Sequence, residues 1–289
     1  MNETAIGQNT PTTDDEALRE QYLYMVKMTV SHALWDETTR PIDPRRSPKN
    51  FTRIFATTAL NLLKPFKLRL VLDEPVDIKS REEGKIWPEF AHTMIGIKRL
   101  DNLKRCAETV LREGVPGDFI ETGVWRGGAS IFMRAILMAH AVDNRKVWVA
   151  DSFKGLPPPD AEKYPADKGA DWHEPEYLAV SLEKVKEHFS KYNLLDDQVC
   201  FLEGWFRDTL PKAPIDKLAI LRLDGDMYES TMDAISSLYP KLSKGGFLII
   251  DDYGAVEACR KAITDYRAKH KINDSILQTD SHEYYWRRS

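Results

Sequence analysis

Two strand-like segments of the sequence end in pairs of carboxylates. The apolar segment LAILRL leads into Asp224 and Asp226, and the segment FLII leads into Asp251 and Asp252. Neighbouring negative charges repel, and burying them is costly unless a cation or hydrogen-bond donors compensate. Asp252 follows Asp224 by 28 residues, which accommodates one helix and one strand, the length of a crossover between parallel strands. We therefore expect these carboxylates to meet at one edge of a sheet.

Carboxylates that converge in this way have two explanations, a bound divalent cation or the capping of helix N-termini. A cap from Asp226, Ser230 or Thr231 on the following helix would explain one carboxylate, but it leaves the Asp251–Asp252 pair unexplained. Oxygen ligands without a nearby Cys or His cluster favour Mg²⁺, with Ca²⁺ or Mn²⁺ as alternatives, and disfavour Zn²⁺. The sequence therefore predicts a magnesium site.

A glycine-rich turn in the segment FIETGVWRGGAS follows another strand and opens a helix. Its glycines, Gly123, Gly127 and Gly128, let the backbone approach a ligand closely. Trp125 stands where the dinucleotide-binding pattern has its second glycine, and Glu121 adds a negative charge. Both features disfavour a pyrophosphate and suit a cofactor with a cationic end, such as S-adenosylmethionine.

An acidic residue, Asp151, ends the next strand and lies 30 residues after Glu121. In a nucleotide-binding sheet, a carboxylate at this place can accept hydrogen bonds from both ribose hydroxyls. A glycine turn alone could reflect chain geometry only. With the strand, the helix and the downstream acid in register, we favour a nucleoside-type ligand.

The two sites together predict methyl transfer to a hydroxyl group. A divalent metal can bind the hydroxyl oxygen, lower its pKa and direct it towards a methyl sulfonium. Orientation for in-line displacement supplies much of the rate. Asp224 or Asp226 could accept the proton, so we predict both as catalytic residues.

Strands alternate with helices from residue 117 to the end of the sequence. The predicted strands are 117–123, 146–153, 198–206, 217–226, 246–250, 275–280 and 283–287. The predicted helices between them are 128–142, 177–192, 230–242 and 256–270. This alternation indicates an α/β fold in which helices cover both faces of a mostly parallel sheet.

The N-terminal part of the chain lacks this alternation, so we divide the sequence into three parts. Residues 1–16 have four acidic and no basic residues and predict a disordered tail. Residues 17–113 predict a helical region with a lid segment, and residues 114–289 predict the cofactor-binding catalytic domain. Within this region, the basic and apolar stretch 40–72 could contain an amphipathic helix that binds a partner or lies in a membrane interface. We favour a helical flap that packs on the core of the protein.

The composition of the 289 residues excludes some classes of partner. A net charge of −4 gives no global field for nucleic acid or a membrane surface. The three cysteines are scattered, which predicts reduced thiols and a cytoplasmic protein, and we find neither a signal peptide nor a membrane-spanning run. The helical N-terminal region could form a dimer interface, and we expect a homo-oligomer.

The sequence resembles the macrocin O-methyltransferase family over about residues 84–289. The motifs that carry the resemblance are HTMIGIKRLDNL, FIETGVWRGGASIFMRA, VWVADSFKGLPPPD, EGWFRDTLP, LRLDGDMYESTMDAI and IIDDYGAVEACRKAI. These enzymes depend on S-adenosylmethionine and Mg²⁺ and methylate sugar hydroxyls on antibiotics and other natural products. The resemblance implies a Rossmann-like class I methyltransferase fold with a seven-stranded, mostly parallel sheet, and a glycosylated small-molecule acceptor.

The resemblance also implies roles for individual residues. Asp224, Asp251 and Asp252 would bind the metal, with Asp224 also the general base. The residues implied at the methionine and ribose part of the cofactor are Glu121, Gly123, Ser130, Asp151 and Ser152, and those at the adenine are Gly204, Trp205 and Phe206. The segment implied to close over the cofactor is His92, Thr93 and Met94.

Three other functions remain open from the residues. A catechol- or caffeoyl-type O-methyltransferase would use a similar metal and cofactor on planar phenols, and Trp87, Trp172 and Trp205 suit stacking on a phenol or a sugar ring. A non-catalytic nucleoside-binding or interaction protein could use the stretch 40–72. An NAD-dependent oxidoreductase is disfavoured because Trp125 and Glu121 would crowd a pyrophosphate.

Overall fold

The computed structural model describes residues 13–35, 39–42, 50–68, 70–73, 77–170 and 176–289. The helices in this part of the chain are α1 (Thr13–Val30), α2 (Asn50–Leu63), α3 (Ile78–Glu82), α4 (Ile97–Arg112), α5 (Gly128–Ala139), α6 (Leu182–Lys191), α7 (Phe206–Thr209), α8 (Tyr228–Leu238) and α9 (Glu257–His270). The strands are β1 (Thr39–Pro41), β2 (Val71–Asp73), β3 (Asp118–Thr122), β4 (Val147–Asp151), β5 (Val199–Glu203), β6 (Leu218–Leu223), β7 (Leu242–Ile250), β8 (Leu277–Gln278) and β9 (Tyr284–Arg287).

Seven of these strands form one sheet in the order β5-β4-β3-β6-β7-β9-β8. Strands β3 to β7 pair in parallel, and β9 pairs antiparallel with both β7 and β8. The strand order reverses between β3 and β6, so the loops at the carboxyl ends of these two strands diverge and leave a crevice for a ligand. The sheet confirms the predicted α/β class and its seven-stranded, mostly parallel architecture.

The central strands of the sheet are mostly apolar and are buried on both faces. Every residue of β6 is buried, as expected for a strand covered by helices on both sides. One core lies between the sheet and helices α1, α4, α5 and α6. The second core lies on the opposite face, under α8 and α9. Two packed layers therefore hold the strand ends at fixed positions.

The N-terminal helix α1 packs in the core on one face of the sheet. It begins at Thr13, so the last four residues of the predicted 1–16 tail are helical, while residues 1–12 lie outside the described part. Its first turn carries Asp14, Asp15 and Glu16, which interact favourably with the positive end of the helix dipole. Leu23 and Val30 are buried in the same core as α4 and α5. The region that we predicted as 17–113 thus contributes packing to the sheet.

Helix α2 does not pack its apolar side chains on the core. Ile54, Phe55 and Leu62 are 66%, 70% and 68% exposed, and the predicted packed flap is therefore wrong for the described side chains. Neither hydrophobic core contains a described residue of this helix. None of the helices within the described ranges is both long enough and apolar enough to cross a membrane.

Candidate active site

A cavity of about 430 Å³ opens at the carboxyl ends of the parallel strands. Among its lining residues are most of the predicted site residues: Thr93, Met94, Glu121, Gly123, Asp151, Ser152, Gly204, Trp205, Phe206, Asp224, Asp226, Asp251 and Asp252. Ser130 lies one layer behind the cavity, where its hydroxyl donates a hydrogen bond to Oε2 of Glu121. The sequence pattern therefore located this cavity, although it could not show which side chains contact one another.

Gly123 brings the ends of β3 and β6 into close contact. Its φ is +84°, and its N–H donates a hydrogen bond to the carbonyl of Ala150. A Cβ atom at this position would lie 1.7 Å from the carbonyl oxygen of Asp224. Glycine is required here for two reasons, the left-handed backbone and the approach of the strand that carries Asp224.

We expect Gly123→Ala to displace the end of β6 and to abolish binding of S-adenosylhomocysteine, measured by titration calorimetry. The matched control is Gly169→Ala, because Gly169 has the same φ of +84° but open space where its Cβ would be. The control shares the backbone cost of about 1–2 kcal/mol for a left-handed residue. Equal loss of binding in both variants would contradict the role assigned to the contact with Asp224.

Glu121 is a buried carboxylate that faces the cavity from β3. It is 2% exposed, and its Oε1 accepts a hydrogen bond of 2.7 Å from Nη1 of Arg222. Burial raises the pKa of Glu121 to about 7, while Arg222 opposes the increase. A cationic group in the cavity would favour the charged form of Glu121. This carboxylate therefore suits the ammonium of an amino-acid cofactor.

Asp151 fixes two loops at the rim of the cavity. Its Oδ2 accepts a hydrogen bond from the N–H of Val124 (2.8 Å), and its Oδ1 accepts one from the N–H of Phe153 (2.7 Å). Burial raises the pKa of Asp151, and these backbone donors act in the opposite direction. The contact with ribose hydroxyls that we predicted for Asp151 stays a prediction.

Three carboxylates, Asp224, Asp226 and Asp252, form an acidic cluster in the cavity. Each offers one oxygen, and these oxygens lie within 4.8 Å of one another. Burial is the main cause that raises the pKa of Asp224 to about 6, and the negative charge of Asp251 is the next. Burial is also the main cause that raises the pKa of Asp226 to about 7, followed by the charge of Asp224. Oδ2 of Asp252 is buried without a hydrogen-bond partner. A hard divalent cation fits this donor set, because it would compensate the charge and coordinate the unpartnered oxygen.

Asp251 has a different environment from its neighbour Asp252. Its Oδ2 accepts a hydrogen bond of 2.8 Å from Nη1 of Arg99, and its Oδ1 accepts one from Nη2 of Arg222. Burial acts to raise the pKa of Asp251, but the two guanidinium groups outweigh it and hold this pKa below its usual value. Of the three predicted metal ligands, Asp224 and Asp252 thus share the cluster with Asp226, while Asp251 faces arginines. The ligand role of Asp251 stays a prediction.

Arg222 connects the two halves of the cavity, and the sequence reasoning missed it. Its side chain is fully buried, and its Nη1 donates to Glu121 and also to Oδ2 of Asp224 (2.8 Å). Its Nη2 donates to Asp251, so one guanidinium binds carboxylates from the ends of β3, β6 and β7. The available signal was a single charged residue within an otherwise apolar strand, which has to be paired when it is buried.

The segment before α4 forms another part of the cavity wall. The carbonyl of His92 accepts a hydrogen bond of 2.8 Å from the N–H of Gly128, which joins this segment to the start of α5. The ring of His92 stacks on the ring of His188, with 4.3 Å between the ring centroids. Burial is the main cause that lowers the pKa of His92 to about 4, and the neighbouring His188 is the next. Thr93 and Met94 line the cavity, whereas His92 packs beside it and holds the segment in place.

A sequence model described as macrocin-O-methyltransferase (TylF) matches residues 19–288 of this chain. The chain belongs to the macrocin O-methyltransferase family. It is therefore an S-adenosylmethionine-dependent O-methyltransferase, and the cavity that holds Glu121, Asp151 and the acidic cluster is its candidate active site. This result confirms the resemblance that we inferred from the motifs and the enzyme class that it implies.

Individual relatives agree with this assignment. The chain is 56% identical over 220 residues (76% of this chain and 84% of the relative) to 8-demethyl-8-(2,3-dimethoxy-alpha-L-rhamnosyl)-tetracenomycin-C 4'-O-methyltransferase of Streptomyces olivaceus. It is 54% identical over 214 residues (73% and 84%) to mycinamicin III 3''-O-methyltransferase of Micromonospora griseorubida. The structure of the O-methyltransferase NovP matches with a TM-score of 0.80 and 43% identity, over 94% of this chain and 99% of that chain.

Proposed function

We propose that this enzyme transfers the methyl group of S-adenosylmethionine to a sugar hydroxyl of a glycosylated natural product, with Mg²⁺ bound at the acidic cluster. The observation that carries the proposal is the position of Asp224, Asp226 and Asp252 in the same cavity as Glu121 and Asp151. The names of two relatives support the class of acceptor, since one acts on a rhamnosyl-tetracenomycin and the other on mycinamicin III.

The cofactor would lie along the ends of β3, β4 and β5. Glu121 would bind the cationic methionine end, Gly123 would allow the backbone to approach, and Asp151 would accept hydrogen bonds from the ribose. Gly204, Trp205 and Phe206 line the cavity after β5, where they would border the adenine. This placement would direct the methyl group towards β6 and β7, whose ends carry the acidic cluster.

The protein would activate the acceptor through the acidic cluster. When bound by Asp224 and Asp252 with Asp226 or Asp251, Mg²⁺ would supply a Lewis acid that lowers the pKa of the acceptor hydroxyl. Burial beside other carboxylates raises the pKa of Asp224 and of Asp226 above the usual aspartate value, and a bound cation would lower both again. Because both carboxylates lie within the acidic cluster, either would be within reach of an acceptor hydroxyl held there, and we propose one of these two as the base that accepts its proton.

Titration calorimetry with S-adenosylhomocysteine and with NAD, each with and without Mg²⁺, tests the ligands of this proposal. We expect binding of S-adenosylhomocysteine, a separate Mg²⁺ binding event, and no binding of NAD. Asp252→Asn should weaken the Mg²⁺ event and leave the S-adenosylhomocysteine affinity within about threefold, because Asp252 follows β7, which β6 separates from the proposed cofactor strands β3, β4 and β5. Binding of NAD in preference to S-adenosylhomocysteine would refute the proposal.

A panel of acceptors separates the sugar from the phenol alternative. The cavity is lined partly by aromatic residues, including Trp87, Trp125 and Trp205, and aromatic faces stack on either kind of ring. Trp172, which we also considered, lies outside the described residues. Methylation of simple catechols in preference to glycosides would favour the catechol-type alternative.

A further inference from the structure

The loop after β4 is held in place by one buried carboxylate. Between residues 154 and 170, all of which the structure describes, Asp167 alone is buried, and it is 1% exposed. A charged group is rarely buried in a polar surface loop, because the loss of its hydration must be compensated. Asp167 is therefore a specific anchor, and its partners show what it anchors.

The partners of Asp167 are two backbone N–H groups in the first turn of α8. Its Oδ1 accepts a hydrogen bond of 2.6 Å from the N–H of Tyr228, and its Oδ2 accepts one of 3.0 Å from the N–H of Glu229. The N-cap residue of α8, Met227, has no side-chain hydrogen bond to the helix. Asp167 thus caps α8 from 61 residues away in sequence and interacts favourably with the helix dipole.

This cap connects two walls of the active-site cavity. Helix α8 follows Asp224 and Asp226 directly, and Ser230 in its first turn lines the cavity. At the other end of the loop, Leu156 and Pro157 line the cavity as well. The ring of Tyr164 lies 5.9 Å from the ring of Tyr228 and adds a second contact between loop and helix. The bond from Asp167 therefore sets the position of the loop wall relative to the acidic cluster.

We propose that Asp167 is a positioning residue that holds the loop 154–170, so that Gly155, Leu156 and Pro157 form a wall against which the acceptor binds. This inference rests on the proposed function, because it assumes that the acceptor hydroxyl reaches the acidic cluster. Loss of the anchor should move the wall and impair acceptor binding. It should affect the cofactor much less, since Glu121, Gly123 and Asp151 are held by contacts that do not involve Asp167.

The test compares Asp167→Ala with Asp160→Ala. Asp160 is an exposed carboxylate of the same loop whose Oδ1 accepts a hydrogen bond from the N–H of Lys163, so it serves as the matched control. Hydrogen exchange is measured with saturating S-adenosylhomocysteine and Mg²⁺, cofactor affinity by calorimetry, and KM and kcat with a glycoside that the wild-type enzyme methylates. For Asp167→Ala we expect faster exchange in residues 155–170 and an increase of about tenfold in the acceptor KM.

The affinity of Asp167→Ala for S-adenosylhomocysteine should stay within about twofold. Asp160→Ala should retain the wild-type KM, kcat and cofactor affinity, with faster exchange only at Lys163, whose N–H loses its partner. If Asp167→Ala does not fold, Asp167→Asn retains one acceptor oxygen and should show the same pattern with an increase in KM of about threefold. Any one of three results would overturn the inference. These are an unchanged acceptor KM, faster exchange in α8 without faster exchange in the loop, and an equal loss of cofactor and acceptor binding.

The exchange measurement separates this inference from the proposed function. If the wild-type enzyme methylated none of the glycosides, the proposed function would fail by itself. Hydrogen exchange and cofactor affinity alone would then show whether Asp167 anchors the loop. Faster loop exchange with unchanged cofactor affinity would support it, and unchanged loop exchange would refute it.

Discussion

Asp224→Asn is expected to lower the rate of methyl transfer by about 10³-fold, because it removes a proposed metal ligand and a candidate base at once. The substitution keeps the shape of the side chain but removes the charge that a divalent cation requires. Nη1 of Arg222 can still donate to Oε1 of Glu121, so the affinity for S-adenosylhomocysteine should change little. The measurements are the initial rate with labelled methyl donor and the Mg²⁺ affinity by calorimetry.

The control for this prediction is Asp216→Asn, which removes an exposed aspartate before β6 and should retain the wild-type rate. Asp226→Asn provides a further comparison, because Asp226 is the other candidate base. If Asp224→Asn retained both its rate and its Mg²⁺ affinity, the acidic cluster would not be the metal site, and the chemistry assigned to it would fail.

Arg222→Met is expected to destabilise the protein by about 3–5 kcal/mol, because it leaves buried carboxylates without their shared cation. Arg222 is fully buried and is paired with Glu121, Asp224 and Asp251. Methionine fills a similar volume but carries no charge. The loss of stability should therefore come from the uncompensated carboxylates more than from a cavity. Urea unfolding, followed by circular dichroism, measures the change in the free energy of unfolding.

Arg112→Met is the matched control, since Arg112 is 69% exposed and pairs with Glu113 at the surface. Exposed ion pairs contribute about 0–1 kcal/mol, so the control should stay within that range. A loss below about 1 kcal/mol in Arg222→Met would show that the three carboxylates do not depend on this guanidinium. The surviving variant would then allow the effect of Arg222 on cofactor binding to be measured directly.

The site could be located from the sequence because its position follows from the geometry of a parallel sheet. Apolar strands that end in Glu121 and Thr122, in Asp151 and in Asp224 must bring these ends together, whatever the detailed packing. The seven strands, the glycine turn and the acidic residues around the cavity were predictable in this way. Ser130 was assigned to the site from the family motif, and the structure places it behind Glu121.

Contacts that depend on side-chain direction were not predictable from one sequence. Asp251 and Asp252 are adjacent, yet one faces two arginines and the other faces the acidic cluster. The role of Arg222 depends on the register that places it opposite Glu121 in β3. Asp167 had no local signal, because its partners lie 61 residues away at the start of α8. Tertiary packing decides each of these cases.

The stretch around α2 shows a different limit. Its basic and apolar composition predicted a helical flap, and α2 is present from Asn50 to Leu63. Composition reveals that a helix carries apolar side chains but not what covers them. The exposed Ile54 and Phe55 therefore had to be observed in the structure.

Transfer of a labelled methyl group from S-adenosylmethionine to a panel of glycosylated natural products, with Mg²⁺ and with chelator, tests the central claim most directly. The panel includes the aglycones and simple catechols, so that the methylated position is assigned to a sugar or to a phenol. We predict label on a sugar hydroxyl only when Mg²⁺ is present. Transfer that is equally fast with chelator, or label on the catechols alone, would contradict the claim.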